Sequence, residues 1–168
     1  MSKKDILALL ELPLSQLVTL ADLTRKKSVG DKLELCSIMN AKSGLCGQDC
    51  KFCAQSARYH SKAPSFPLKN KEEMFLLAQR AQRIGAERFD IVTSGERLSP
   101  EEIKIVAEAI FEITTKLKIK MCVSLGSMDD QGFRLLKEAG LTRYHHNLET
   151  SPRFFPRIVT THTFRERV

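Results

Sequence analysis

Aromatic residues are scarce in this sequence, which has no tryptophan and only two tyrosines among its 168 residues. Proteins that bind single-stranded nucleic acid stack the bases on aromatic side chains, so this scarcity argues against that class. Long hydrophobic runs are also missing, and none approaches the roughly 20 residues that a membrane-spanning helix requires. The charged start, Met1 to Asp5, leads into an amphipathic stretch rather than a secretory signal. We therefore expect a cytoplasmic protein that binds neither nucleic acid nor membranes.

Positive charge is in modest excess, with 27 Lys and Arg against 20 Asp and Glu and a net charge of +7. The basic residues occur along the whole chain and are mixed with acidic ones, which is typical of a mildly basic surface. The same positive field would also favour an anionic substrate or cofactor.

Cysteine is the most informative residue type, because three of the five cysteines fall within eight residues. Disulfides are rare in a reducing cytosol, so clustered cysteines there more often bind metal or do redox work. The spacing alone therefore predicts a metal or redox site in the segment 46–53.

Hydrophobic periodicity predicts a helical segment followed by alternating strands and helices. Residues 1–30 are expected to form two short amphipathic helices separated by Pro13. Strands are then predicted over 32–39, 88–93, 119–124 and 141–146, helices over 71–84, 99–117 and 129–139, a polar loop over 40–70, and a further helix starting at 163. Ser99 is the predicted N-cap of its helix, with Pro100 at the first helical position and Glu102 completing a capping box.

This alternation is typical of an α/β fold with a parallel sheet and right-handed crossovers. Three strand–helix units and a fourth strand correspond to the first half of a (β/α)8 barrel of the TIM type, since eight units need about 200 residues or more. We predict a short helical N-terminal extension at 1–30 and a partial barrel at 31–168. The chain would then be the N-terminal half of a longer protein, unstable or inactive by itself because a half-barrel exposes strand edges.

The spacing of Cys46, Cys50 and Cys53, C-x3-C-x2-C, is typical of an iron–sulfur site. Thiolates bind iron clusters, and three of them in a short loop can hold three irons of a [4Fe–4S] cube. The fourth iron then has no protein ligand, and the amino and carboxylate groups of S-adenosylmethionine fit this open position. One electron passed to the sulfonium would break the carbon–sulfur bond. Two alternatives remain open: a zinc site completed by His60 or Cys36, and three unrelated buried thiols.

Three longer segments narrow the family further. They are Cys46-Gly-Gln-Asp-Cys-Lys-Phe-Cys-Ala-Gln-Ser, Tyr144-His-His-Asn-Leu-Glu-Thr-Ser-Pro-Arg-Phe-Phe and Ile158-Val-Thr-Thr-His-Thr-Phe-Arg-Glu-Arg. These segments resemble the biotin synthases, a family of radical S-adenosylmethionine enzymes, from about residue 33 to the end of the chain. The resemblance covers the first half of the family's barrel and matches the three clustered cysteines to its cluster ligands. It implies cleavage of S-adenosylmethionine to a 5′-deoxyadenosyl radical, which removes hydrogen atoms from dethiobiotin before sulfur from a second cluster closes the biotin ring.

The resemblance also assigns residues that contact S-adenosylmethionine and the substrate. Phe52 matches an aromatic that packs near the adenine. Ser94-Gly95-Glu96 stands where these enzymes place a Gly-Gly-Glu-like turn that contacts the methionyl amino group, and it equally suits an ordinary strand–helix turn. Asn147 and Glu149 match positions that contact the substrate and the ribose hydroxyls. If this segment is strand-like, both side chains project to the same side, since residues i and i+2 share a face.

The sequence departs from the family pattern at the positions expected to hold a second cluster. Biotin synthases use cysteines of successive strands to hold an auxiliary [2Fe–2S] cluster, and Cys122 matches one of them. Asp90 occupies the position of another expected cysteine, and a carboxylate is a harder and less typical ligand. Our hypothesis is that Cys36 compensates and that the cluster is of a variant type; alternatively, Cys36 is a small buried hydrophobe. His145 replaces an asparagine that commonly faces the substrate, which leaves the exact substrate open.

Two other functions remain compatible with the sequence. One is a related radical enzyme of the hydrogenase-cofactor maturation or methylornithine-forming type, and the other is a zinc-binding interaction module. The biotin synthase resemblance further implies dethiobiotin as the small-molecule substrate, an electron donor such as flavodoxin or ferredoxin, and a homodimer at full length.

Overall fold

A computed structural model describes residues 2–168, and their contacts divide the chain into two compact units after Glu34. The first unit contains helices α1 (Lys3–Leu9) and α2 (Leu14–Val29), which confirms the two predicted helices. Pro13, whose ring fixes its backbone, stands at the N-cap of α2 and separates them. No helix within residues 2–168 is both long and apolar enough to cross a membrane.

The second unit is built on one parallel sheet. Its elements, in chain order, are β1 (Cys36–Lys42), α3 (Lys71–Arg83), β2 (Arg88–Thr93), α4 (Pro100–Lys116), β3 (Lys120–Ser124), α5 (Asp130–Glu138), β4 (Leu141–Tyr144), α6 (Phe155–Ile158) and α7 (Phe164–Arg167). The strands are hydrogen-bonded in the order β1-β2-β3-β4, and every pairing is parallel. Neighbouring parallel strands in chain order, joined through helices, form one side of a (β/α)8 barrel. The predicted α/β half-barrel is therefore confirmed.

Local sequence signals determine where α4 begins. The Ser99 hydroxyl accepts a hydrogen bond from the Glu102 backbone N at 3.2 Å, and the Glu102 carboxylate accepts one from the Ser99 backbone N at 3.0 Å. Pro100 is the first residue of the helix. This confirms the predicted capping box. Glu102 also accepts a hydrogen bond from Lys42 Nζ at 2.6 Å, so the start of α4 is tied to the end of β1.

The two faces of the sheet have different surroundings because successive side chains of a strand alternate. Ile91 and Val123 lie on the face covered by α3, α4 and α5, and they belong to the hydrophobic core. The opposite face corresponds to the interior of a barrel. Ile38, Asp90 and Cys122 stand side by side on this interior face in the register of the sheet. Ile38 is largely exposed there.

Two strands differ from their predicted bounds by more than one residue. β1 begins four residues later and ends three residues later than the sequence predicts. The cause is its neighbour: the first residue of β2, Arg88, pairs with Cys36, so residues before Cys36 have no partner strand. β4 ends two residues earlier than predicted, at Tyr144, because its register with β3 stops at the pair with Val123. The four-residue helix α6 is not predicted by the sequence patterns.

Candidate functional site

The predicted site residues gather around one cavity at the carboxyl ends of β1, β2 and β3. Its volume is about 520 Å³, a size typical of small-molecule sites. The three clustered cysteines line it, and the other lining residues with a predicted role are Phe52, Ser94, Gly95, Glu96 and Glu149. Barrel enzymes place their active sites at this edge of the strands. The structure therefore brings most of the predicted residues together.

The cysteine loop folds back on itself, which directs its thiols toward a common space. The Cys46 backbone N donates to Gln55 O at 3.1 Å, and the Ala57 backbone N donates to Cys46 O at 2.8 Å. The Cys53 backbone N donates to Cys50 O at 3.0 Å, which makes a tight turn between the second and third thiols. All three cysteines are partly buried, and none forms a disulfide.

The three thiols are close enough to influence one another's ionisation. Burial raises the pKa of the Cys50 thiol, and the neighbouring Cys53 and Cys46 raise that pKa further. Thiolates that share a site repel one another, so a cationic iron centre would relieve the repulsion and displace the protons. Within residues 2–168, no three acidic, histidine or cysteine side chains are grouped closely enough for a single metal ion. Three thiolates on one short loop suit an iron–sulfur cube, whereas structural zinc almost always takes four protein ligands.

Asp49, between the first two cysteines, ties the loop to the segment after β4. Its carboxylate accepts hydrogen bonds from the backbone N of Thr160 at 2.8 Å and of Thr161 at 3.1 Å. Both threonine hydroxyls donate to the same carboxylate. The bond from the Thr160 hydroxyl is the main reason why the pKa of Asp49 lies well below its usual range. No sequence pattern indicates this contact between residues 111 positions apart.

Gln48 forms a second bridge, between the turn after β2 and His162. Its Nε2 donates to Glu96 Oε2 at 2.7 Å, and its Oε1 lies 2.8 Å from His162 Nδ1. In this orientation the amide oxygen accepts, so His162 carries a proton on Nδ1. The His162 ring also packs edge-on against Phe155, with ring centroids 5.5 Å apart. Sequence patterns assign no partner to His162, whereas in the structure Gln48 orients both His162 and Glu96.

The Ser94-Gly95-Glu96 turn is held tightly by its surroundings. The Ser94 hydroxyl is buried and donates to Gly44 O at 2.8 Å, so it is not available to a ligand. Gly126, in the turn after β3, has a φ of 80°, and a Cβ atom there would lie 2.2 Å from Glu96 O. Only glycine therefore allows the two turns to approach this closely. Glu96 is the member of the predicted turn whose side chain can reach a bound molecule.

Asn147 and Glu149 do not follow the strand alternation considered from the sequence. β4 ends before them, and Glu149 has a φ of 66°, in the left-handed region. Glu149 lines the cavity, whereas Asn147 does not. Arg167 organises this segment, because its Nη2 donates to Asn147 O at 3.0 Å and lies 3.6 Å from Glu149 Oε1. Arg167 lines the cavity as well. Sequence reasoning assigned it no role, although it ends the third family-like segment.

The candidates for an auxiliary cluster lie on the interior face of the sheet and outside the lining of the cavity. Cys122 is buried, which raises the pKa of its thiol, and Arg88 Nη1 lies 4.0 Å from its Sγ. Asp90 pairs with Cys122 in register. Cys36 is exposed on this face, as Ile38 is. Cys36 lies on β1, two strands away from Cys122 on β3, and two residues earlier in the register. Standard strand spacings put the two Cα atoms about 12 Å apart.

Comparison with known proteins assigns the chain to a family. A sequence model of the radical SAM superfamily matches residues 42–168, which include the whole cysteine loop and every cavity-lining residue described above. The chain belongs to the radical SAM superfamily. Membership implies a [4Fe–4S] cluster and S-adenosylmethionine as the cofactors of this radical SAM chain.

Biotin synthases are among the most similar curated proteins. The biotin synthase of Persephonella marina is 45% identical over 100% of this chain and 51% of its own length. That of Thermotoga petrophila is 55% identical over 82% of this chain and 46% of its own length. The radical SAM chain thus spans about half the length of these relatives.

A solved structure gives independent support for the fold. The FeFe-hydrogenase maturase HydG from Carboxydothermus hydrogenoformans superposes with a TM-score of 0.76, over 95% of this chain and 38% of that protein. The sequence identity is 18%, so the likeness concerns the fold alone.

Proposed function

We propose that this radical SAM chain is the first half of a biotin synthase, which converts dethiobiotin to biotin by radical sulfur insertion. The observation that carries the proposal is the convergence of Cys46, Cys50 and Cys53 on one cavity at the carboxyl edge of the sheet. The 45% identity with the P. marina biotin synthase over the whole chain supports the choice of substrate. The hydrogenase-maturase alternative has only a likeness of fold in its favour.

The three thiolates are proposed to hold the [4Fe–4S] cluster and to leave one iron open to S-adenosylmethionine. When bound, the cluster supplies the single electron that cleaves S-adenosylmethionine and starts the radical reaction. The task of the chain itself is to keep the thiols in place. Asp49 and Gln48 contribute by tying the cysteine loop to the segment after β4 and to the turn after β2.

The cavity offers complementary groups to each part of S-adenosylmethionine. Glu96 provides a carboxylate for the methionyl ammonium, and Arg167 provides a guanidinium for the methionyl carboxylate. Glu149 offers two acceptor oxygens to the ribose diol. Phe52, which is 54% exposed, offers an apolar ring face to the adenine. Ser94 and Gly95 contribute backbone to the same turn as Glu96.

The interior face is proposed to hold the auxiliary iron–sulfur cluster that donates sulfur, either [2Fe–2S] or a variant. Cys122 and Cys36 are the proposed thiolate ligands, with Asp90 beside Cys122. Arg88 is close enough to Cys122 to favour its thiolate form.

The proposal includes partners and a compartment. The cluster needs a one-electron donor of the flavodoxin or ferredoxin type, and the complete protein is proposed to be a homodimer. An oxygen-sensitive cluster and five unpaired cysteines require a reducing compartment, which is why we place the protein in the cytoplasm.

Anaerobic turnover tests this function. The complete protein, reconstituted with iron and sulfide, is incubated with S-adenosylmethionine, a reductant and dethiobiotin. We expect 5′-deoxyadenosine and biotin to form together, and Cys50→Ser to abolish both. Formation of 5′-deoxyadenosine without biotin would contradict the substrate, and the absence of both products would contradict the radical reaction.

A further inference from the structure

The net positive charge of the chain is concentrated around the cysteine loop. Residues 44–69 and 150–165 contain seven Lys and Arg and a single acidic residue, Asp49. They therefore account for six of the seven excess positive charges, although basic residues as such occur along the whole chain. These two segments are therefore more basic than the rest of the chain.

Hydrogen bonds place three of these basic residues at the outer edge of the loop. Lys51 directly follows a cluster cysteine, and its Nζ donates to Arg157 O at 2.8 Å. The Lys51 backbone N donates to Ile158 O at 3.0 Å, which binds the two basic segments together. Arg58 Nε donates to Gly47 O at 2.7 Å, beside the first cysteine. All three basic side chains belong to exposed residues.

A fourth basic residue, Lys62, lies on the same edge. Its neighbour Ser61 donates from its hydroxyl to Ala54 O at 2.6 Å, one residue after the third cysteine. Lys62 is exposed. We call the set Lys51, Arg58, Lys62 and Arg157 the basic rim.

The nearby carboxylates of Asp49 and Glu166 are held by backbone and hydroxyl donors, and neither forms an ion pair with a rim residue within residues 2–168. The Asp49 carboxylate accepts hydrogen bonds from the backbone N of Thr160 and Thr161. Glu166, the next acidic residue toward the end of the chain, accepts hydrogen bonds from the Thr163 backbone N and hydroxyl as a helix cap. The four positive charges of the rim therefore outnumber the one carboxylate of the cysteine loop, Asp49.

We propose that the basic rim is the docking surface for an acidic one-electron carrier protein. The inference rests on the proposed function, which consumes one electron for each S-adenosylmethionine cleaved. The carrier is oxidised by one electron and the cluster is reduced by one, which then passes to the sulfonium as the carbon–sulfur bond breaks. Positive charge beside the cluster attracts an acidic carrier and orients it toward the thiols. Tyr59, exposed beside the rim, adds apolar contact area.

Charge reversal tests the docking surface, with reduced flavodoxin as the probe. The test variant is Lys62→Glu/Arg157→Glu. The control variant, Lys118→Glu/Lys137→Glu, makes the same charge change just before β3 and β4, at the opposite end of the strands. We expect the bimolecular rate of cluster reduction by flavodoxin to fall about tenfold at low salt in the test variant only. Photoreduced deazaflavin, a small neutral reductant, should reduce the clusters of both variants at the wild-type rate.

Direct binding gives a second readout that needs no cluster. Flavin fluorescence should show affinity for flavodoxin about tenfold weaker in the test variant and unchanged in the control. Both measurements are repeated on the single variant Lys62→Glu, in which no hydrogen bond of the loop is altered.

Different results would overturn the docking surface and the proposed function. Equal rates or affinities in the test and control variants would overturn the docking surface. Slow reduction of the test variant by deazaflavin would overturn it too, because the substitutions then disturb the cluster itself. If the proposed function fails instead, the wild-type protein forms no biotin with either reductant.

Discussion

Asp90 and His145 form a polar pair that reaches over β3, the strand that carries Cys122. His145 Nε2 lies 3.6 Å from Asp90 Oδ2. The other oxygen, Asp90 Oδ1, is buried without a hydrogen-bond partner among residues 2–168. Burial raises the pKa of the Asp90 carboxyl, and His145 opposes this rise. The two residues that stand where the resemblance to biotin synthases leads us to expect a cysteine and an asparagine thus lie close together.

A double-mutant cycle measures this coupling. His145→Ala leaves the partly buried Asp90 carboxylate without its partner and should lower the free energy of unfolding by about 1 kcal/mol. In the Asp90→Asn background, His145→Ala should lower the free energy of unfolding by roughly 0.3 kcal/mol or less. Urea denaturation at neutral pH gives both values, and equal costs in the two backgrounds would rule out the coupling.

The Asp49 bridge should help to hold the cysteine loop in place. Asp49→Ala removes four hydrogen bonds to Thr160 and Thr161 and should lower the free energy of unfolding. Asp49→Asn keeps an oxygen acceptor for the two backbone N–H groups and should lose clearly less. Urea denaturation measures the loss of stability, and limited trypsin cleavage near Lys51 and Arg157 measures how far the loop is loosened. If the Ala and Asn variants behave alike, the bridge does not hold the loop.

Substitutions at Gly126 and Gly85 test the close approach of the turn after β3 to the turn after β2, with Gly85 as the control position. Both have positive φ values, 80° and 85°, but a Cβ atom on Gly85 meets nothing within 4 Å. Gly85→Ala should therefore cost about 1 kcal/mol through its backbone conformation alone. Gly126→Ala should cost at least about 2 kcal/mol more, since its Cβ meets Glu96 O. Similar melting temperatures of the two variants would contradict the clash.

Much of the fold follows from signals that act within a few residues. Pro13 separates the first two helices, and the Ser99–Glu102 capping box starts α4, because each depends only on its own segment. The spacing of the three cysteines likewise predicts a shared site. The predicted bounds of β1 were wrong because the extent of a strand depends on its neighbour. β1 begins at Cys36, which pairs with Arg88, and this pairing between distant residues is not visible in the local sequence.

The parts of the site that sequence reasoning missed depend on contacts across the fold. Arg167 reaches Asn147 and Glu149 only because the chain after β4 turns back toward the cavity. Gln48 joins His162 to Glu96 across three segments. The basic rim is visible only after the charges are assigned to segments that the structure brings together. The roles proposed for the cavity residues remain predictions.

We predict that Cys36 helps to hold the auxiliary cluster. The complete protein is reconstituted anaerobically as wild type, Cys36→Ala and Cys122→Ala, and its iron and sulfide are quantified. We expect both variants to lose the auxiliary cluster and to keep the cluster of the loop, because the two sites lie on different parts of the sheet. An unchanged auxiliary cluster content in Cys36→Ala would contradict our hypothesis and leave Cys122 with other ligands.

The central claim is that Cys46, Cys50 and Cys53 hold a cluster with one iron open to S-adenosylmethionine. The most direct test is electron paramagnetic resonance of the reduced, anaerobically reconstituted protein, in the Cys36→Ala/Cys122→Ala background that leaves only the loop cluster. The account predicts about four irons and four sulfides per chain, with a signal that changes when S-adenosylmethionine binds and that Cys50→Ser abolishes. Zinc without sulfide, or an iron–sulfur signal that S-adenosylmethionine leaves unchanged, would contradict it.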